Sequence, residues 1–376
     1  MNSLSTFRAT ALLCGTIIGA GVLGIPYVIS QVGFIPGFFI IIIIGLAMMM
    51  LNLFLGEIVL RTPGNHQLPG YAERYLGKTG KKLMMFSMVF GIYGALIAYI
   101  IGSGQALATV FGLSSITFSI AFFVVASSII YIGLKTIAKS EVFFITTVFL
   151  IFSGLFLYSI FSGKFNLANL ATINLKNIFL PYGVVLFAFI GTAAIPEMKE
   201  YLSHDKKKLK KTIIIGSLIP LFAYLLFTFA VLGITGAKTT EIATIGLGES
   251  FGKFILIIGN LFAALAMFTS FLTLGLAMKE VYLYDYKIKN FWAWCLTVVI
   301  PFVIFLTGFT SFIKVIGITG AIAGGIDGIL IVLMFHRARK KHYRTPEYHL
   351  GKKYIIGIFL MLMFILGLIY QVYHLF

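Results

Sequence analysis

Stretches of about twenty apolar residues, separated by short polar connections, recur along nearly the whole chain. That is the length an α-helix needs to cross the ~30 Å hydrocarbon core of a bilayer. The pattern predicts about eleven spans, near residues 7–33, 36–60, 83–110, 115–134, 140–162, 180–202, 212–235, 253–278, 291–309, 312–335 and 354–374. No connection is long enough for a separate soluble domain, so residues 1–376 are expected to form one all-α integral membrane bundle. The first stretch is longer than the roughly 7–15 apolar residues of a signal peptide and carries Pro26 well inside, so it reads as a retained helix. Residues 236–252 are expected to form a helical outer loop.

Composition agrees with the pattern: hydrophobic residues make up 60% and charged residues 11%, against about 25% charged in soluble domains. Charge supplies the orientation. Of the 29 Lys and Arg, 24 lie at the N-terminus or in alternate connections on the same side, which predicts a cytoplasmic N-terminus and an extracellular C-terminus in the plasma membrane. The net charge of +17 therefore calls for no nucleic-acid partner; runs such as HDKKKLKK (204–211) and HRARKKHYR (336–344) are expected to face anionic lipid headgroups. Cys14 and Cys295 both fall within helices and form no disulfide framework. No His, Cys, Asp or Glu cluster has zinc-site spacing, and no nucleophile with its base is visible, so neither an enzyme nor a cofactor is expected.

The first span contains GTIIGAGVLGIPY (15–27), where a membrane helix ought to be unbroken. Gly15, Gly19 and Gly21 have an alternative reading as a small-residue surface for close helix packing. Yet Gly19-Ala20-Gly21, followed by Gly24 and Pro26, concentrates helix breakers beyond what packing needs. A related stretch, FAFIGTAAIPE (187–197), lies in the sixth span, and both contain Ile-Gly followed by Ile-Pro. The first and sixth spans run in opposite directions under the charge rule. The expectation is therefore a 5+5 inverted repeat, approximately 7–163 and 180–336, with 354–374 an added helix. Paired interruptions of this kind point to a binding site near the bilayer midplane. Free N–H groups at a half-helix start attract an anion and free carbonyls at a half-helix end attract a cation, so a zwitterion fits both.

The motif GTIIGAGVLGIPYVISQVGFIPG resembles the first helix of the amino acid/auxin permease family and its bacterial aromatic amino acid permease relatives. TSFLTLGLAMKEVYLYD (269–285) and GEIVLR (56–61) are similar to that family's eighth helix and second-helix end. The resemblance implies a leucine-transporter-like fold and secondary transport of a neutral amino acid, with aromatic and branched ones as candidates, by alternating access. It implies backbone binding of the substrate carboxylate around Gly19, Ala20 and Gly21, with Ile17, Phe189, Ile190, Gly191 and Thr192 around the amino group. Thr16 and Thr192 are the side chains placed to add hydrogen bonds, or equally to bond back into their own helices; Phe187 and Phe189 are candidates for the side-chain pocket.

Coupling to Na+ or H+ stays open at this level. By resemblance, the carbonyls of Gly15, Ile18 and Ala266 with the hydroxyls of Thr269 and Ser270 form a sodium site; the alternative is a Thr-Ser pair capping its own helix. A proton route needs a carboxyl group. Glu57 lies four residues before Arg61, a spacing that suits a structural ion pair. Glu197 follows the sixth-span break directly. Asp327 in GGIDGILIVLMF is about 15 residues, or roughly 22 Å of helix, from the outer end of its span. The second reading of the whole chain is an amino acid sensor that binds without transporting.

Overall fold

The computed structural model describes residues 2–374 apart from 134–149, 152, 155, 309, 310, 342 and 352. The described residues are helical, with no strand among them. Among the described residues, seven helices are long and apolar enough to cross a membrane, or eight when a bent pair is counted as one span. About half of the fifth predicted span, 140–162, falls outside the described residues.

That bent pair is the first predicted span. Helix α1 (Asn2–Ile17) and helix α2 (Gly21–Ser30) meet at an angle of 50°. The last helical bond of α1 runs from the Ile18 N–H to Cys14 O, and α2 takes over with the Val22 N–H on Gly19 O and the Leu23 N–H on Ala20 O. Gly24 and Pro26 lie inside α2, so the interruption is confined to the residues around Gly19. The second and third spans are α3 (Phe34–Arg61) and α4 (Leu68–Phe111). Helix α4 begins well before the predicted span and turns at Gly77, whose φ of 78° is open to glycine without strain. Helix α5 (Ser115–Ile132) follows.

The sixth span is also broken, into α6 (Pro181–Ala188) and α7 (Ala194–Tyr201). Then come α8 (Leu209–Thr235), the loop helix α9 (Ala243–Phe251), α10 (Lys253–Glu280) and the 17-residue α11 (Asn290–Leu306). The tenth span is α12 (Phe312–Thr319), a π-helical turn over Gly320–Gly324, and α13 (Gly325–Lys340). Helix α14 (Tyr354–Tyr373) stands against α13 and is exposed along much of its length.

Packing sorts these helices into two groups. Helices α1, α2, α3, α6, α7 and α8 pack on one another, as do α4, α5, α10 and α11, and the tenth span touches both groups. A buried lysine ties each group together at one end. Lys199 of α7 donates to Thr62 O and Gly64 O just past α3, at 3.4 and 2.6 Å. Lys279 of α10 donates to Ile130 O and Tyr131 O at the end of α5, at 2.8 and 2.9 Å. Each ammonium satisfies carbonyls that a helix end leaves without partners.

The buried carboxylate Glu57 accepts from Arg61 at 2.7 Å and from the Leu350 N–H at 2.8 Å. Glu57 therefore sits in the structural pair its spacing predicts. The basic run at 336–344 is engaged within the protein: Arg337 donates to Tyr75 O, Arg339 to Gly351 O, and Arg344 to Leu60 O and to Glu347. Outside the spans, burial opposes ionisation of Glu347, but the Arg344 hydrogen bond, a backbone hydrogen bond and the nearby charges of Arg344 and Lys206 together outweigh it and hold the carboxyl below its usual range.

Candidate substrate site

The two breaks lie side by side. Gly21 opens α2 against the end of α6 so closely that a Cβ there would come within 2.6 Å of Ala188 Cα. Tyr224 of α8, fully buried, joins the other ends: its hydroxyl lies 2.7 Å from Ile17 O and 3.0 Å from Ala188 O. These carbonyls terminate α1 and α6, where helix dipoles concentrate negative partial charge. A phenol carries one proton, so it donates fully to one carbonyl at a time. The opposite polarity is exposed just beyond. Among the described residues, the N–H groups of Ala20, Gly21, Gly191, Thr192 and Ala193 have no hydrogen-bond partner. The breaks thus offer N–H donors and carbonyl acceptors within one small volume.

A cavity of about 170 Å³ borders this point, lined from the first span by Thr16, Ile17, Gly19 and Gly21 and from the sixth by Phe187, Ala188, Ile190, Thr192 and Ala193. Helix α4 contributes Ser87, Met88, Gly91, Ile92, Ala95 and Tyr99; α10 contributes Leu274 and Ala277; the tenth span contributes Thr319, Ala323 and Asp327. The cavity reaches Gln67 and Leu68, and Gln67 also lines a wider opening of about 640 Å³ with His66, Lys81, Glu200 and Tyr286. The two cavities thus adjoin at Gln67. Towards the other end the helices touch: a Cβ on Gly183 would lie 2.1 Å from Gly317 O, and one on Gly320 2.0 Å from Gly183 O.

Not every residue singled out in the sequence faces this cavity. Ala20 and Gly191 are buried beside it, Gly191 against Ile17 and Leu13. Phe189 turns away, its ring 5.0 Å from that of Tyr224 and close to Gly45 of α3. Its backbone sits in the break, but its ring lies on the face opposite Phe187. The Thr16 hydroxyl bonds back to Leu12 O at 2.8 Å.

Of the residues considered for sodium, Gly15 and Ile18 flank the break without lining the cavity. Thr269 donates to Ala266 O at 3.0 Å, and the Ser270 and Tyr99 hydroxyls both lie beside Gly19. Among the described residues, no three His, Cys, Asp or Glu side chains come together as metal ligands.

Asp327 is 9% exposed and is the one acidic side chain lining the cavity. Its Oδ1 has no hydrogen-bond partner, and the carboxyl lies beside the Ser87 hydroxyl, which donates to Ala323 O at 2.9 Å. Glu197 is exposed on α7, outside the cavity lining, with Glu200 and Glu280 as its charged neighbours.

Sequence reasoning missed Tyr99, Tyr224 and Ser87. Each is a polar-tipped residue in an otherwise apolar span, and that was the available signal. Tyrosine is common enough in this chain, at 18 residues, to hide it.

Comparison with known proteins agrees with this architecture. The fold matches that of MhsT, crystallised in complex with L-phenylalanine, with a TM-score of 0.71 over 98% of each chain at 13% identity. It is thus a leucine-transporter-like fold. The chain is 29% identical to tyrosine-specific transport system 1 of Haemophilus influenzae, covering 91% of this chain and 90% of that one. It is 26% identical to glutamine transporter 2 of Aliivibrio fischeri over 91% of each. To the tryptophan-specific transport protein of Haemophilus influenzae it is 25% identical, over 99% of this chain and 96% of that one. Residues 2–371 match the tryptophan/tyrosine permease family, a family of membrane amino acid permeases and not of enzymes, and the chain belongs to it.

Proposed function

We propose that this protein is a secondary active amino acid transporter of the bacterial plasma membrane that works by alternating access, in a state open to the cytoplasm. Two converging helix breaks, beside a cavity that adjoins a wider opening at Gln67 and is flanked by packed glycines away from it, carry the reading. The free N–H groups near Gly21 and Thr192 receive the substrate carboxylate, and the carbonyl that Tyr224 leaves unfilled receives the ammonium. Kinship with the wider amino acid/auxin permeases, carried by the first-span motif, belongs to the same proposal. So does the inverted repeat over 7–163 and 180–336. Lys and Arg asymmetry puts Gln67 on the cytoplasmic side, so the packed glycines of α6 and the tenth span form the closed outer side.

The coupling ion in this reading is a proton carried at Asp327. Asp327 is buried on the cavity wall and its Oδ1 has no hydrogen-bond partner, which makes it the candidate carrier among the acids considered. The sodium alternative uses the oxygen lone pairs of Thr269 and Ser270, which stay available while the Thr269 hydroxyl donates to Ala266 O. Uptake of labelled amino acids into proteoliposomes, under a pH gradient or a sodium gradient imposed separately, tests both parts. Accumulation under the pH gradient alone is expected. Accumulation under sodium alone transfers coupling to the Thr269 and Ser270 site, and binding without flux under either gradient makes the protein a sensor.

A further inference from the structure

The two basic runs differ in what they hold. Arg337, Arg339 and Arg344 of the second run are engaged by carbonyls and by Glu347 of the protein itself. In the turn that joins α7 to α8, Lys208 pairs with Asp205 at 3.2 Å, but Lys207, Lys210 and Lys211 are exposed and have no partner among the described residues. Tyr201, which closes α7 just before the turn, is exposed as well, and an exposed tyrosine at a span end suits the headgroup level. Lys and Arg asymmetry puts this turn on the cytoplasmic side.

Helix α8 carries one face from these lysines into the bilayer. Lys211, Ile215, Ile219, Phe222 and Leu226 recur at intervals of three and four, so they form a single stripe. Ile215, Phe222 and Leu226 of that stripe are exposed. Along it a groove of about 420 Å³ opens between α8 and the fifth span. Exposed Phe222, Leu226 and Leu157 edge the groove, and buried Ala223 and Phe227 line it deeper in. Its near end, Ile219, is eight residues beyond Lys211, about 12 Å at 1.5 Å per residue. The hydrocarbon of one leaflet is roughly 15 Å deep, half of the whole core. A chain hung from a headgroup at Lys211 therefore reaches the groove.

From this alignment of free lysines with an apolar groove along one face of α8, we propose that the protein binds one anionic phospholipid of the inner leaflet. Lys207, Lys210 and Lys211 hold its phosphate, and an acyl chain lies between α8 and the fifth span. Free phosphate would meet the lysines but leave the groove unfilled. A zwitterionic lipid would fill the groove but bring its own ammonium towards three others. Because the turn links α7 to α8, the lipid sits at the inner half of the broken sixth span. The inference is independent of the transport reading.

The test is native mass spectrometry of the purified protein in detergent, titrated with dioleoyl phosphatidylglycerol, dioleoyl phosphatidylcholine, dihexanoyl phosphatidylglycerol or inorganic phosphate. The long-chain anionic lipid is expected to bind the wild type at least about tenfold more tightly than each of the other three. Lys207→Gln, Lys210→Gln and Lys211→Gln together should bring the ratio between the two long-chain lipids within about threefold of unity. Ala223→Phe, which fills the groove, should weaken dioleoyl phosphatidylglycerol at least about fivefold.

Equal affinity for the two long-chain lipids, or an unchanged ratio in the lysine variant, overturns the inference. Dihexanoyl phosphatidylglycerol or inorganic phosphate binding as tightly as the long-chain lipid reduces the site to one for free anions and overturns it too. A spectrum dominated by a dimer without lipid gives the face to a second copy of the chain, with the same consequence. Should Ala223→Phe not fold, the comparison of chain lengths on the wild type still decides the part played by the groove.

Discussion

The two sides of the helix breaks are built differently. On the side of α2, α6 and α12, backbone meets backbone: Gly21 on Ala188, Gly183 on Gly317, Gly320 on Gly183. On the side of α1, α7, α4 and α13, the same breaks open into a cavity edged by Thr16, Thr192, Ser87, Gln67 and Asp327. One side is closed by the absence of side chains, the other furnished by polar ones. Contact between glycines seals without a specific chemical group and can be undone without stranding one. The polar side has to hold its groups in partnership, and Asp327 is where that partnership is incomplete.

The largest effect should come from spoiling the sealed side. Gly183→Val and Gly320→Val place side-chain atoms where a carbonyl oxygen already stands, and overpacking of this kind costs about 1–3 kcal/mol or more. Transport should fall at least ~100-fold while the protein still reaches the membrane, as read by proteoliposome flux normalised to purified protein. Near-normal flux in both variants would mean that this contact is not the seal.

Next is the acid on the open side. Asp327→Asn should reduce accumulation driven by a pH gradient by at least tenfold, about 1.4 kcal/mol, while counterflow persists. Accumulation that survives intact removes Asp327 as the proton carrier.

Tyr224 lies between the two sides. Tyr224→Phe leaves both Ile17 O and Ala188 O without their buried donor, a loss of about 1–3 kcal/mol. An apparent KM for amino acid raised about tenfold is the expected readout, with a lowered melting temperature of the purified protein. An unchanged KM would assign the hydroxyl to structure alone.

The smallest effect is expected from Thr269→Ala and Ser270→Ala. If neither hydroxyl holds a coupling ion, uptake changes by less than about threefold, because each lost bond contributes only about 1 kcal/mol or less. A sodium dependence that these variants abolish would reverse the assignment of the ion.

Much of this was legible in the residues themselves. Apolar stretches of bilayer length dictate the helices, and Gly19-Ala20-Gly21 and Gly191 mark where two of them fail. Backbone preference acts locally, so it can be read locally. Even there the detail was coarse: Pro26 stays within α2, and the chain is already helical from Leu68, with Gly77 at the kink between that segment and the long helix that follows.

What only the tertiary structure decided was orientation around the breaks. Phe187 and Phe189 are two residues apart in one sequence motif, yet one lines the cavity and the other packs on Tyr224. Tyr224 stands 207 positions from Ile17 and reaches its carbonyl; Ser87 stands 236 from Ala323 and does the same. Helical periodicity says which residues share a face but not which face meets which neighbour, since in a chain that is 60% hydrophobic nearly every face can be buried. The apolar pattern by itself determined that the chain spans a membrane and that two of its spans break. Where the freed carbonyls and the lone carboxyl find or lack their partners depended on packing between segments far apart in sequence, because hydrogen bonds are made by atoms about 3 Å apart in space, whatever their separation along the chain.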